Sequence, residues 1–158
     1  MVWWKYQRKI TEGDVDEVWL QYLLAINRQM RFVKANQNKP IKALRNVGPE
    51  LEKLRLKAAA TIRDFFIERI NALLVPNTNV QIMQQSVFLK YKELHQFVIE
   101  RHHDAATEIR QSYVNALKWY FHNHFERYSK GLSKLQVKKK EENSFSFIYV
   151  AVMMVYLL

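Results

Sequence analysis

Apolar residues recurring every three or four positions, over long stretches almost without glycine or proline, constrain this chain more than any other feature. Val15, Val18, Trp19, Tyr22, Leu23, Ile26, Met30 and Val33 form one stripe at the spacing of an α-helix face. A second runs through Leu51, Leu54, Ala58, Ile62, Phe65, Phe66, Ile70, Leu73 and Leu74, opposed by Glu52, Lys53, Lys57, Arg63 and Arg69, the pattern of a helix that buries one side. A third passes through Ile82, Val87, Phe88, Tyr91, Leu94, Phe97 and Val98, and a fourth through Ala106, Ile109, Tyr113, Ala116, Leu117, Tyr120 and His124. Three glycines and three prolines in 158 residues are too few turn formers for an all-β fold. The expectation is an all-α protein, an elongated antiparallel bundle of about four long helices joined by short loops.

Local signals place the ends. Asp14 with Glu17 reads as a capping box that opens a helix over 14–36. The polar stretch 36–46, which holds Pro40, reads as a loop or short turn, and Pro49 behind Gly48 suits the first position of the next helix. That helix closes at Val75-Pro76, and Thr78 or Asn79 can cap its successor. The third stripe fades at Arg101-His102-His103, where an imidazole cation would face the negative end of a helix dipole. Asp104 can cap the fourth helix, which reaches about Tyr128 or beyond, with Gly131 a weak point.

After residue 136 the character changes. Lys138-Lys139-Lys140-Glu141-Glu142 is charged, and Phe145 to Leu158 is almost wholly apolar. The division is therefore a helical body over 1–136 and an irregular tail over 137–158. The apolar run is shorter than the roughly 20 residues a spanning helix needs. It reads as intron read-through, since Gln136-Val137-Lys138 matches what an exon boundary followed by intron would encode, as a tail anchor behind a basic patch, or as a buried or interfacial segment. Nothing before residue 144 could cross a bilayer, and the absence of cysteine and of any Asn-x-Ser/Thr acceptor fits a reducing compartment.

Catalytic patterns are missing: there is no Gly-rich phosphate loop, no paired-cysteine metal site and no nucleophile elbow. No cofactor is expected. His122 and His124 lie two apart, so a helix points their rings roughly 200° apart, one inward and one outward; no metal is expected there. The formal charge of +10 includes +1 from 137–158, leaving +9 on the body, which invites an acidic partner. The aromatic residues fall mostly on the core stripes, so nucleic acid is not the expected one. Trp119, Tyr120 and Phe121 are consecutive and cannot all face one core, which marks a candidate docking surface.

Three blocks carry a resemblance. They are ELEKLRLKAAATIRDFFIERINAL from Glu50 to Leu73; Pro76-x-Thr78-Asn79-x-Gln81-Ile82-x-Gln84 ending at Leu89-Lys90-Tyr91; and Glu108-Ile109-Arg110 with Tyr113, continuing to Lys134-Leu135-Gln136. With ITEGDVDEVWLQYLLAINRQM ahead of them, their order and spacing resemble the vacuolar protein sorting fifty-two (Sac-two) subunit family of the GARP and EARP tethering complexes, over about residues 10–136. The resemblance implies tethering of endosome-derived vesicles at the trans-Golgi network. It further implies sibling subunits, a Rab-type GTPase and SNARE proteins as partners, and peripheral association with the cytosolic face of Golgi and endosomal membranes. The motif residues Pro76, Thr78, Asn79, Gln81, Ile82, Gln84, Lys90, Tyr91, Glu108, Arg110 and Tyr113 read as specifiers of the fold, with Gln81 and Gln84 satisfying backbone groups at a corner. Members of that family are several-fold longer, and their coiled-coil portion is expected to lie outside this chain.

Overall fold

The structure, a computed structural model, describes residues 3–36 and 42–134, with side chains over 6–36 and 47–133. Its described elements are all helical: α1 Trp3–Glu12, α2 Glu17–Ala35, α3 Lys42–Ala72, α4 Val80–Met83 running on through a π-helical segment Gln84–Leu89, α5 Lys92–Arg101 and α6 His103–Lys134. The expected all-α class holds. Six α-helices stand among the described residues where about four were expected. The tail over 137–158, the Leu135-Gln136 end of the third block and the Pro40 turn lie outside the described residues.

Consecutive elements run antiparallel, as their side-chain contacts show. Tyr6 of α1 meets Tyr22 of α2 edge to face, at 5.1 Å between centroids. Phe65 and Phe66 of α3 meet Tyr91 and Phe88, while Arg55, earlier on α3, donates to the carbonyl of Arg101 at the far end of α5. Arg63 of α3 pairs with Glu108 of α6 at 2.8 Å, so these two long helices run parallel with α5 returning between them. The same logic makes α2 parallel to α5: Glu17 pairs with Lys90 at 2.7 Å and Arg31 with Glu100 at 2.9 Å.

One core joins all these helices. Trp19, Leu23 and Ile26 of α2, Ile62, Ile70 and Leu73 of α3, Leu94 and Val98 of α5 and Ile10 of α1 are fully buried, each worth roughly 1.5–3 kcal/mol relative to exposure. The stripes are thus the core, with exceptions at their edges. Val18 and Ile82, placed on stripes, are exposed. Val18 stands one residue from buried Trp19, and Ile82 stands two residues, about 200°, beyond buried Val80, so each turns away from the bundle.

Helix ends differ from the expected ones in four places. Asp16, not Asp14, caps α2: its backbone is extended and its Oδ1 accepts from the Trp19 N–H at 2.5 Å. Pro49 lies inside α3, which begins at Lys42 and so occupies part of the expected loop. The third stripe is broken at Lys90-Tyr91 between the π-helical segment and α5. At the α5–α6 junction, Nδ1 of His102 accepts from the Ala105 N–H at 3.3 Å. His102 therefore serves the positive start of α6 as an acceptor, where a cation meeting a helix end and an Asp104 cap were expected.

Candidate functional site

The motif between Pro76 and Tyr91 builds the corner where α3 hands over to α4. Asn77 adopts a left-handed backbone conformation, φ 66°, which Asn tolerates better than most residues. This reverses the chain and lets the Thr78 hydroxyl donate to the Ala72 carbonyl at 3.0 Å, satisfying an end group of α3. Asn79 then caps α4, its Oδ1 accepting from the Ile82 N–H at 3.1 Å. Thr78 and Asn79 thus divide the two capping tasks between them. Pro76 and Gln81 are exposed.

Gln84 reaches across the bundle rather than to the backbone. Its Nε2 donates to the Tyr113 hydroxyl of α6 at 2.8 Å. The π-helical segment brings Phe88 edge-on to Tyr113, 5.2 Å between centroids, and against Phe66 at 6.2 Å. Burial pushes the Tyr113 phenol above its usual range, with the Gln84 hydrogen bond opposing the shift. Tyr91 packs edge-on against Phe65 at 5.2 Å, and Lys90 lies 5.5 Å over the Tyr91 ring while pairing with Glu17. The hydrogen bond with Glu17 is the main reason the Lys90 ammonium is held above its usual range. Glu108 belongs to the ion pair with Arg63.

Between α3, α5 and α6 a pocket of about 180 Å³ opens, with Phe66 and Phe88 on its apolar side and Lys92, His95, Arg110 and Tyr113 among its polar lining. His95 stands edge-on to Phe66 at 6.0 Å. Burial, aided by the positive charge of Arg110, lowers its imidazole below the usual histidine range. The structure therefore joins Gln84 to Tyr113 and places Tyr113 and Arg110 on one pocket, and leaves Pro76, Thr78, Asn79, Gln81 and Ile82 at the corner. Phe66, Lys92 and His95 complete the pocket without having been singled out as site residues. Pro49-based and capping rules are local, and no local rule pairs residues of α5 with residues of α3.

At the opposite end of the bundle a polar junction ties α2, α3 and the α5–α6 turn. Arg101 donates through Nε and Nη2 to Asn27 Oδ1 at 3.0 and 2.8 Å, and its carbonyl accepts from Arg55. The side-chain hydrogen bond with Glu52 holds the Arg55 guanidinium above its ordinary range and the Glu52 carboxyl below its own.

On α6 the last buried residue is Leu117. Trp119 is 44% exposed, and Tyr120 and Phe121 are half-buried against the core, in edge contact at 5.4 Å. Phe125, Tyr128 and Leu132 continue the apolar series into solvent. Both His122 and His124 are exposed, where one inward ring was expected, because the bundle offers α6 no interior this far along; His124 stacks on Tyr120 at 5.5 Å. Among the described residues no three His, Cys, Asp or Glu side chains are grouped to hold a metal ion, and no helix is long and apolar enough to cross a membrane.

Comparison with known proteins bears directly on these elements. Residues 5–98, from α1 through most of α5, match the model of the Vps52/Sac2 family, coiled-coil. The chain is 40% identical over 129 residues to vacuolar protein sorting-associated protein 52 A of Arabidopsis thaliana, covering 81% of this chain and 18% of the relative. It is 31% identical over 134 residues to the Homo sapiens vacuolar protein sorting-associated protein 52 homolog, covering 84% and 18%. Identity to the Schizosaccharomyces pombe protein is 29% over 91 residues, 58% of this chain and again 18% of the relative. The chain thus spans under a fifth of the length of these relatives. No solved structure matches. The coiled-coil portion, expected to lie outside the chain, is what residues 5–98 match. The chain belongs to the Vps52/Sac2 family.

Proposed function

We propose that this chain is a segment of a protein-sorting subunit that works by binding, within a multisubunit complex of the GARP or EARP type that tethers endosome-derived vesicles at the trans-Golgi network. The observation that carries the reading is the match to the family's coiled-coil model over residues 5–98, joined to a helical bundle whose polar residues are spent on caps and interhelical ties. A tether holds partners close and raises their effective concentration, which calls for surfaces and rigid helices and for no catalysis.

In this reading the partners are sibling subunits, with a Rab-type GTPase and SNARE proteins engaged by the assembled complex on the cytosolic face of Golgi and endosomal membranes. The series of exposed Trp119, half-buried Tyr120 and Phe121, and exposed Phe125 and Tyr128 is the surface on which a sibling helix docks, since Phe121, Phe125 and Tyr128 recur at four- and three-residue spacing past the last buried position. The test is affinity purification from cytosol of the tagged full-length product of the gene. Recovery of the sibling tether subunits in stoichiometric amount is the expected result, and purification of a chain free of all of them overturns the assignment.

A further inference from the structure

The pocket between α3, α5 and α6 is lopsided in charge. Among the described residues no Asp or Glu lines it, while Lys92 of α5 and Arg110 of α6 both do. Neither cation has a hydrogen-bond or ion-pair partner among the described residues, in contrast to Arg63, which pairs with Glu108. Tyr113 adds a third donor. Its oxygen accepts from Gln84 in a side chain only 4% exposed, and its hydroxyl can at the same time donate to a ligand in the pocket that it lines.

Beside these donors the wall is apolar: Phe66 and Phe88 are buried within it, and Ile99, 43% exposed, stands at its edge. The volume of about 180 Å³ equals roughly six waters' share of liquid, room for one or two side chains. An isolated inorganic anion would satisfy the donors and leave the apolar wall wet. A membrane surface presents a plane of headgroups to what is a recess between helices.

We propose that this pocket is a docking site for a partner polypeptide bearing an acidic residue next to a bulky apolar one. The carboxylate accepts from Lys92, Arg110 and the Tyr113 hydroxyl, and the apolar neighbour covers Phe66 and Ile99. The proposal stands on the pocket's own donors and walls and goes beyond the tether reading, so either can fail without the other.

The experiment selects random dodecapeptides displayed on phage against the full 158-residue chain, then measures the strongest sequence as a fluorescent synthetic peptide by anisotropy. Enrichment of an Asp or Glu beside Leu, Ile, Phe or Trp is expected, with saturable binding that weakens as salt rises. The double variant Lys92→Gln/Arg110→Gln, made at two exposed positions, should bind at least tenfold more weakly. Tyr113→Phe should weaken binding severalfold, and Lys118→Gln, exposed and outside the pocket, should leave it unchanged. Failure to enrich acidic–apolar sequences, or equal binding by the double variant, overturns the proposal. So does tighter binding of phosphatidylserine vesicles with the same dependence on Lys92 and Arg110, which would assign the pocket to a lipid surface.

Discussion

Tyr113 shows how much of this fold hangs on single side chains. Its ring closes the edge of Phe88 and its oxygen holds Gln84. Tyr113→Phe keeps the ring contact and strands the Gln84 amide, so unfolding free energy should fall by about 1 kcal/mol in urea titration. Asn79→Ala removes the cap of α4 and should cost about as much. His95 makes the fold sensitive to pH. Burial disfavours its charged form, so the unfolded chain binds the proton more tightly. The neutral imidazole's contribution is complete above about pH 6.5 and declines as pH falls below that value. The denaturation midpoint of the parent chain should therefore drop between pH 7 and pH 5, and His95→Gln should flatten that slope. At this scale the end of α3 near Pro76 and the Asn79 cap were legible, because such signals act within a few residues, whereas the left-handed Asn77 and the bond from Thr78 back to Ala72 emerged only in the structure. The Gln84–Tyr113 bond was not legible either: 29 positions separate its partners, and only the packing of α4 and its π-helical continuation against α6 creates it.

Among elements, the long helices were readable from their stripes and the short or interrupted ones were not. In α1 only Ile10 is fully buried among its described side chains, with Tyr6 partly buried against the core, and one buried residue makes no period. The rule that places Pro at a first helical position sees the sequence after Gly48 correctly but is blind to the turns of α3 that precede it. The glycines separate by environment. Gly48 and Gly131 lie within helices with open space where a Cβ would stand. Gly131→Ala should stabilise the chain by up to about 1 kcal/mol, read as a raised melting temperature, whereas Gly48 precedes Pro49, whose ring disfavours a Cβ on the residue before it within a helix. Gly13 should behave oppositely, since an added Cβ would stand 2.4 Å from the Lys9 carbonyl that its own N–H bonds. Gly13→Ala should lower the melting temperature.

In the whole molecule, alternating helix directions let α5 pack against both α3 and α6, and polar ties, Gln84–Tyr113 on the π-helical segment ahead of α5 and Arg101–Asn27 at its far end, fix the register of that stretch. Stability is not spread evenly along α6. Its first half buries Ala105, Ala106, Ile109, Tyr113, Ala116 and Leu117, and beyond those none of the described residues is buried. Amide hydrogens over 122–134 should exchange well before those over 105–117, and an engaged partner should slow the former selectively. The same unevenness has a metric consequence. An α-helix rises 1.5 Å per residue, so the stretch 118–134 extends about 25 Å from the last buried turn. A partner helix that orders this stretch would therefore have about 25 Å of α6 along which to pack.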